Sequence, residues 1–146
     1  MKKNNNLCPC GSGIKYSKCC QPFHKELHLP TTALELLRSR FSAYALKQFD
    51  YLINTTHPNN PEYKTNKNAW RKELQANTQH TKFINLAILP TEQLILLSAN
   101  QTCITFRVTS STKNSKFQEM IETSLFEKLK DKWLYKECKS ILFKDM

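Results

Sequence analysis

Four cysteines, Cys8, Cys10, Cys19 and Cys20, fall within the stretch LCPCGSGIKYSKCC (Leu7 to Cys20), which also holds both glycines of the chain. Thiolates clustered this way hold a soft divalent cation. Zinc takes about four such donors in a tetrahedron, with sulfur about 2.3 Å from the metal. Thiolates repel one another, so a turn must gather them and nearby donors must spread their charge. Gly11 and Gly13 suit that turn, because they reach positive φ without strain and can aim backbone N–H groups at sulfur. Ser12 offers a hydroxyl donor, and Pro9 stiffens the short Cys8–Cys10 bite. Four sulfur ligands leave no open coordination position, so the expected role is structural. Cys20 is preferred as the fourth ligand, with His24, four residues further on, as the alternative. A Cys19–Cys20 disulfide would be strained, and Cys8-x-Cys10 lacks the two-residue spacing of redox pairs.

The elements that position this cluster come from the rest of the chain. Its 146 residues are enough for one domain with a core plus a small appendage, and 40% of them are apolar. There is no run of eighteen apolar residues, and the polar start MKKNNN is followed by no apolar secretory segment. The expectation is therefore a cytoplasmic protein with reduced cysteines, without a membrane span, in which clustered cysteines bind metal. The net charge of +10 is uneven: Lys2, Lys3, Lys15, Lys18 and Lys25 precede the first acid, Glu26. A basic amino-terminal patch of that kind suits RNA, a ribosome or an acidic protein surface.

Helices are expected first. Thr32 and Glu35 form a capping box, and Leu34, Leu37, Phe41 and Ala45 recur at helical spacing, which predicts a helix over about 32–47. Arg38 falls on that apolar stripe, and Arg40 to one side of it. A short helix over Phe49–Thr55 and a third in KNAWRKELQAN, with Trp70 and Leu74 inward, flank the turn-rich THPNNPEYKTN. Beyond residue 80, KFINLAILP, TCITFRVTS, KFQEMIETSLFEKL and KWLYKEC alternate as strands. Helices followed by four strands on short turns predict an α+β fold with an antiparallel sheet. Met120, Glu122, Ser124 and Phe126 share one strand face, and Ile104, Phe106 and Val108 face together in the strand before. Both sheet faces are partly apolar, so helices should cover one, and a second subunit or the zinc module the other. Cys103 and Cys138, in predicted strands, read as small core residues.

CPCGSGxxYxxCC resembles the SEC-C motif, the zinc module that closes the translocase motor ATPase SecA. The copy here follows the variant with two terminal cysteines. With LRSRFSAYALKQFDYLINTTHP and IETSLFEKLKDKWLYKE, the chain resembles the YchJ-like family over nearly its whole length. The resemblance implies a nuclear-transport-factor-2-like cone, with helices packed in a curved four-stranded antiparallel sheet, over residues 30–146. A SEC-C zinc-binding motif would occupy residues 1–29 and carry one structural Zn2+. Many family members have a second such motif at the carboxyl end; this chain ends SILFKDM instead.

Cone folds often hold a pocket between helices and sheet. The candidate lining is Arg38, Tyr44, His57, Glu122, Ser124 and Tyr135, with Arg38 paired to Glu122 and with His57 or Glu122 as the proton carrier of any chemistry. No nucleophile–base motif or phosphate loop occurs. The leading expectation is thus a non-enzymatic adaptor whose basic knuckle docks on a protein, ribosome or RNA partner. The second expectation is a small-molecule enzyme or ligand-binding protein using the cone pocket. Cones often pair through the sheet, so a homodimer is also expected.

Overall fold

The computed structural model describes residues 6–91, 97–114 and 116–145. Lys2 and Lys3 of the basic patch lie outside the described residues. A one-turn 3-10 segment, Tyr16–Lys18, and the short helix α1, Gln21–His24, complete the knuckle. Three longer helices follow, α2 (Ala33–Ala45), α3 (Phe49–Asn54) and α4 (Lys67–Thr78). The strands β1 (Lys82–Leu89), β2 (Gln101–Ser111), β3 (Phe117–Leu129) and β4 (Lys132–Asp145) form one antiparallel sheet in chain order.

The start of α2 is fixed by its cap. Thr32 Oγ1 accepts the Glu35 N–H at 3.1 Å. The Glu35 carboxylate reaches back one residue further than a simple capping box, accepting the Thr31 N–H at 2.8 Å. The buried face of α2 is only partly the predicted one: Leu37 and Phe41 are in the core as expected. Leu34 is exposed, whereas Ala33, Leu36, Leu37, Arg40 and Phe41 are buried together with the small residues Ser39, Ser42 and Ala43. The stripe at i, i+3, i+4 and i+7 starts from Ala33 and Leu36, which places Arg40 inside it. Small residues on the opposite flank let other elements approach closely, and Ser39 Oγ meets Tyr51 Oη of α3 at 2.6 Å.

α4 is capped by Asn66, whose Oδ1 accepts the Ala69 N–H at 3.0 Å. Trp70 turns inward and packs edge-on against Tyr63, with ring centroids 5.3 Å apart.

The sheet curves because its ladders are interrupted. β-bulges occur in β1 between Phe83 and Asn85, and in the β3–β4 ladder around Ser124 and Phe126. Each extra residue bends its strand and increases the twist. β3 turns into β4 through Lys130 and Asp131, both at positive φ (52° and 64°). Two successive positive-φ residues match the twist of the flanking strands. Lys132 continues as a strand to Asp145, well past the expected end in KWLYKEC.

The core lies between α2 and the concave sheet face. Leu36, Leu37 and Phe41 pack against Leu86, Phe106, Val108 and Phe126. Cys103 and Cys138 are not core residues: Cys103 is half-buried, Cys138 is exposed, and both are free thiols. The knuckle does not roof the outer sheet face. It sits against α2 and beside the edge strand β1, where a Cβ added at Gly11 would stand 4.0 Å from the Leu86 carbonyl. Among the described residues no helix is long and apolar enough to cross a membrane.

Candidate metal centre and cone cavity

The knuckle is closed by backbone pairing before any metal is considered. Leu7 and Lys15 form an antiparallel bridge, and the Cys8 N–H donates to the Ile14 carbonyl at 2.8 Å. Gly11 and Gly13 take φ of 84° and 81° inside that hairpin, values an L side chain rarely adopts. The Gly11 N–H does not aim at sulfur; it donates to the Cys8 carbonyl. The Ser12 hydroxyl does reach a sulfur, at 3.2 Å from Cys19 Sγ.

The four Sγ atoms lie within 4.8 Å of one another, close enough that the cluster could hold a metal ion. Cys10 and Cys19 Sγ are 3.6 Å apart, and Cys19 and Cys20 Sγ 3.9 Å apart. A tetrahedron with metal–sulfur bonds of about 2.3 Å has edges of about 3.8 Å, so the donor set fits zinc. The electrostatics point the same way. A hydrogen bond from the Cys20 thiol, and next one with Cys8, holds Cys10 well below the usual thiol range. The Cys20 thiol is held well above its usual range because it is that donor, and burial pushes Cys19 up to about 11. A bound cation would favour the thiolate form of the cluster.

His24 is engaged elsewhere. Its Nδ1 meets Tyr16 Oη at 2.7 Å, and its Nε2 meets the Ser39 carbonyl at 2.8 Å. The imidazole is a strut between knuckle and α2, tilted against the Tyr51 ring with centroids 4.8 Å apart. Burial lowers its pKa, although the Ser39 carbonyl acts against that shift.

Arg38 is not in the cone. Its Nη1 donates to the Cys10 carbonyl at 2.9 Å, tying α2 to the cysteine hairpin. The expected pair with Glu122 is absent among the described residues; Glu122 Oε2 instead accepts from Ser124 Oγ and Tyr135 Oη, the latter at 2.9 Å. The reason is helical geometry. Two residues along an α-helix turn about 200°, so Arg38 and Arg40 leave α2 on opposite sides, and Arg40 enters the cone.

A cavity of about 570 Å3 opens there, lined by Arg40, Tyr44, Trp70, Phe106, Glu122, Ser124 and Tyr135 among others. Of the expected lining residues, Tyr44, Glu122, Ser124 and Tyr135 are present and Arg38 and His57 are not. His57 is drawn away by the backbone: its N–H donates to the Tyr135 carbonyl at 2.9 Å. Its buried Nε2 stands 2.9 Å from Glu127 Oε1 without an aligned hydrogen bond. Lys136 shares that carboxylate and, chiefly through its hydrogen bond, holds Glu127 below the usual range. His57 therefore belongs, with Glu127 and Lys136, to a polar cluster that pins the loop after α3 to β4. Burial, and next the Glu122 carboxylate, push the Tyr135 phenol upward, so its proton stays on the Glu122 bond.

Sequence reasoning missed Arg40. The signal was present, since Arg40 stands four residues from Leu36 and three from Leu37, but the stripe had been anchored on Leu34.

Comparison with known proteins agrees with this architecture. The model described as "YchJ, middle NTF2-like domain" matches residues 32–138, and that of the SEC-C motif matches residues 5–22. A UPF0225 protein of Photorhabdus laumondii is 32% identical over 130 residues, covering 88% of this chain and 77% of the relative. One of Serratia proteamaculans is 34% identical over 130 residues, covering 88% and 80%. The solution structure of a SEC-C motif containing protein from Rhodopseudomonas palustris superposes with a TM-score of 0.74 at 27% identity, over 91% of this chain and 97% of that one. The crystal structure of another, from Psychrobacter arcticus, gives a TM-score of 0.68 at 25% identity, over 88% and 78%. With a SEC-C motif leading into a helix-filled, nuclear-transport-factor-2-like sheet, the chain belongs to the YchJ-like family of UPF0225 proteins.

Proposed function

We propose that this chain is a non-enzymatic binding protein whose knuckle is folded by one structural Zn2+ on Cys8, Cys10, Cys19 and Cys20. The observation that carries this reading is the sulfur quartet, gathered within 4.8 Å, with the Cys10–Cys19 and Cys19–Cys20 separations close to the edge of a zinc tetrahedron. Bound there, the ion would supply cross-linking and charge neutralisation, with no coordination position left for a substrate. The residues around it have mechanical roles. Ser12 supports Cys19, and His24 and Arg38 clamp the hairpin to α2.

The outward face of this clamped knuckle carries Lys15, Lys18 and Lys25, all exposed and none in an ion pair among the described residues. Leu7 and Ile14 are exposed beside them. A rigid basic face with apolar tips suits an acidic partner, and RNA is the probe of choice. Titration of metal-loaded protein with labelled RNA at two salt concentrations tests the adaptor role. The expected result is binding that weakens steeply with salt and disappears on chelation. No binding at low salt would rule the RNA-docking role out.

A second reading is favoured by a separate observation, the cavity of about 570 Å3 in the cone. That volume lies within the range of ligand sites, and its wall is mostly apolar with a few convergent polar groups. It supports binding of a small molecule by the cone, with the knuckle as a buttress of α2.

A further inference from the structure

Resting on that second reading, we propose that the cone cavity is a site for an apolar carboxylate. Arg40 is the anchor for its headgroup, and the aromatic wall takes its body.

Arg40 is only 8% exposed, and a buried arginine is ordinarily matched by a carboxylate. None within ion-pair distance is found among the described residues. Nη1 is used, donating to the Leu52 carbonyl at 3.0 Å and to Thr55 Oγ1 at 2.8 Å at the end of α3. Nε and Nη2 make no aligned hydrogen bond among the described residues, although the Tyr44 phenol is close enough to bond the guanidinium, and Arg40 lines the cavity. The guanidinium is held in place: three acceptors fix Nη1, and the Tyr135 ring lies 4.8 Å from its central carbon. It is a preorganised cation with donors to spare beyond those on Nη1, and it lines the cavity.

The shape of those donors selects the ligand. Nε and Nη2 form the fork edge that matches two carboxylate oxygens. A phosphate dianion would suit the fork too, but Glu122, 8% exposed, lines the same cavity, as does the exposed Glu62. A second negative charge beside that carboxylate is disfavoured, so the single charge of a carboxylate is the better match. Phe41, Phe83, Phe106, Met120 and Trp70 complete the wall and call for a hydrocarbon or aromatic body.

The test uses metal-loaded full-length protein and three probes of one chain length: octanoate, 1-octanol and octylammonium. Calorimetry should show octanoate binding about tenfold more tightly than octanol, the difference between a charge-assisted and a neutral hydrogen bond. Octylammonium should bind weakest. In protein labelled with 15N-arginine, the Arg40 Nε–H resonance should move with octanoate. Arg40→Lys keeps the charge but loses the fork, so it should forfeit most of the octanoate preference while leaving octanol binding. Should that variant not fold, the wild-type probe series and the Arg40 resonance decide alone. Octanol or octylammonium binding as tightly as octanoate would overturn the anion assignment and leave the cavity as a ligand site. Binding of none of the three would overturn both.

Discussion

Arg38→Met is the sharpest perturbation of the clamp between knuckle and cone. The substitution keeps a long, helix-compatible side chain and removes one bond, from Nη1 to the Cys10 carbonyl at 2.9 Å. Hydrogen bonds from a charged donor are worth about 1.5–3 kcal/mol when buried. Arg38 is only half-buried, and solvent screening brings the expectation down to about 1–1.5 kcal/mol. Because Cys10 is one of the four proposed sulfur donors, that loss should appear largely as weaker metal retention, about five- to tenfold in apparent affinity. The assay is metal transfer to a chromophoric chelator at fixed pH, alongside amide hydrogen exchange. Exchange should quicken across residues 7–20, while the core amides of β2 and β3 keep their protection. Unchanged metal transfer and unchanged exchange in the knuckle would refute the clamp. Loss of protection centred on Glu122 and its neighbours would instead restore the cone-facing role first read from the sequence.

Other outcomes follow from the same coordinates. Native mass spectrometry should find one zinc per chain, and Cys20→Ser, at a site 1% exposed, should abolish retention of the ion while the sheet persists by circular dichroism. His24 has its folded pKa lowered by burial. Its contribution is therefore complete above the unfolded value near 6.5 and declines as pH falls through the window between that value and the lower folded one. Urea titrations across that window should show His24→Gln removing this share of the acid slope. Phe126→Ala, at a ring 1% exposed in the middle of the core, should cost about 3–5 kcal/mol in the same titration. The paired change Lys130→Asn and Asp131→Gly places residues suited to φ of 52° and 64° in the β3–β4 turn. It should raise stability by about 0.5–1 kcal/mol, read as an upward shift of the denaturation midpoint.

Local chemistry made the cysteine cluster and the element order readable in advance. The glycines, the cap of α2 and the alternation of the strands each depend on neighbours a few residues away. The side of the cone that a given arginine faces does not. Arg38 and Arg40 both lie near the apolar stripe, and choosing between them requires knowing that Leu34, not Arg40, is turned to solvent. That is set by how α2 meets the sheet and the knuckle at once, a packing fact that no window of sequence contains. His57 is similar. Its place is set by a backbone bond to Tyr135 across 78 positions, and its acidic neighbour Glu127 comes from another strand. Helical spacing names the residues on a face; it does not say which face will be crowded from both sides.

α2 is crowded in that way, and one turn of it serves two sites. Ser39 and Arg38 hold the cysteine hairpin, while Arg40, next along the chain, stands before the cavity. A single helical turn cannot be stiffened for one neighbour only. Were an ion in the knuckle and a guest in the cone to favour the same arrangement of that turn, each would tighten the other by the same factor. Two centres joined by so short a lever would then be filled and emptied together.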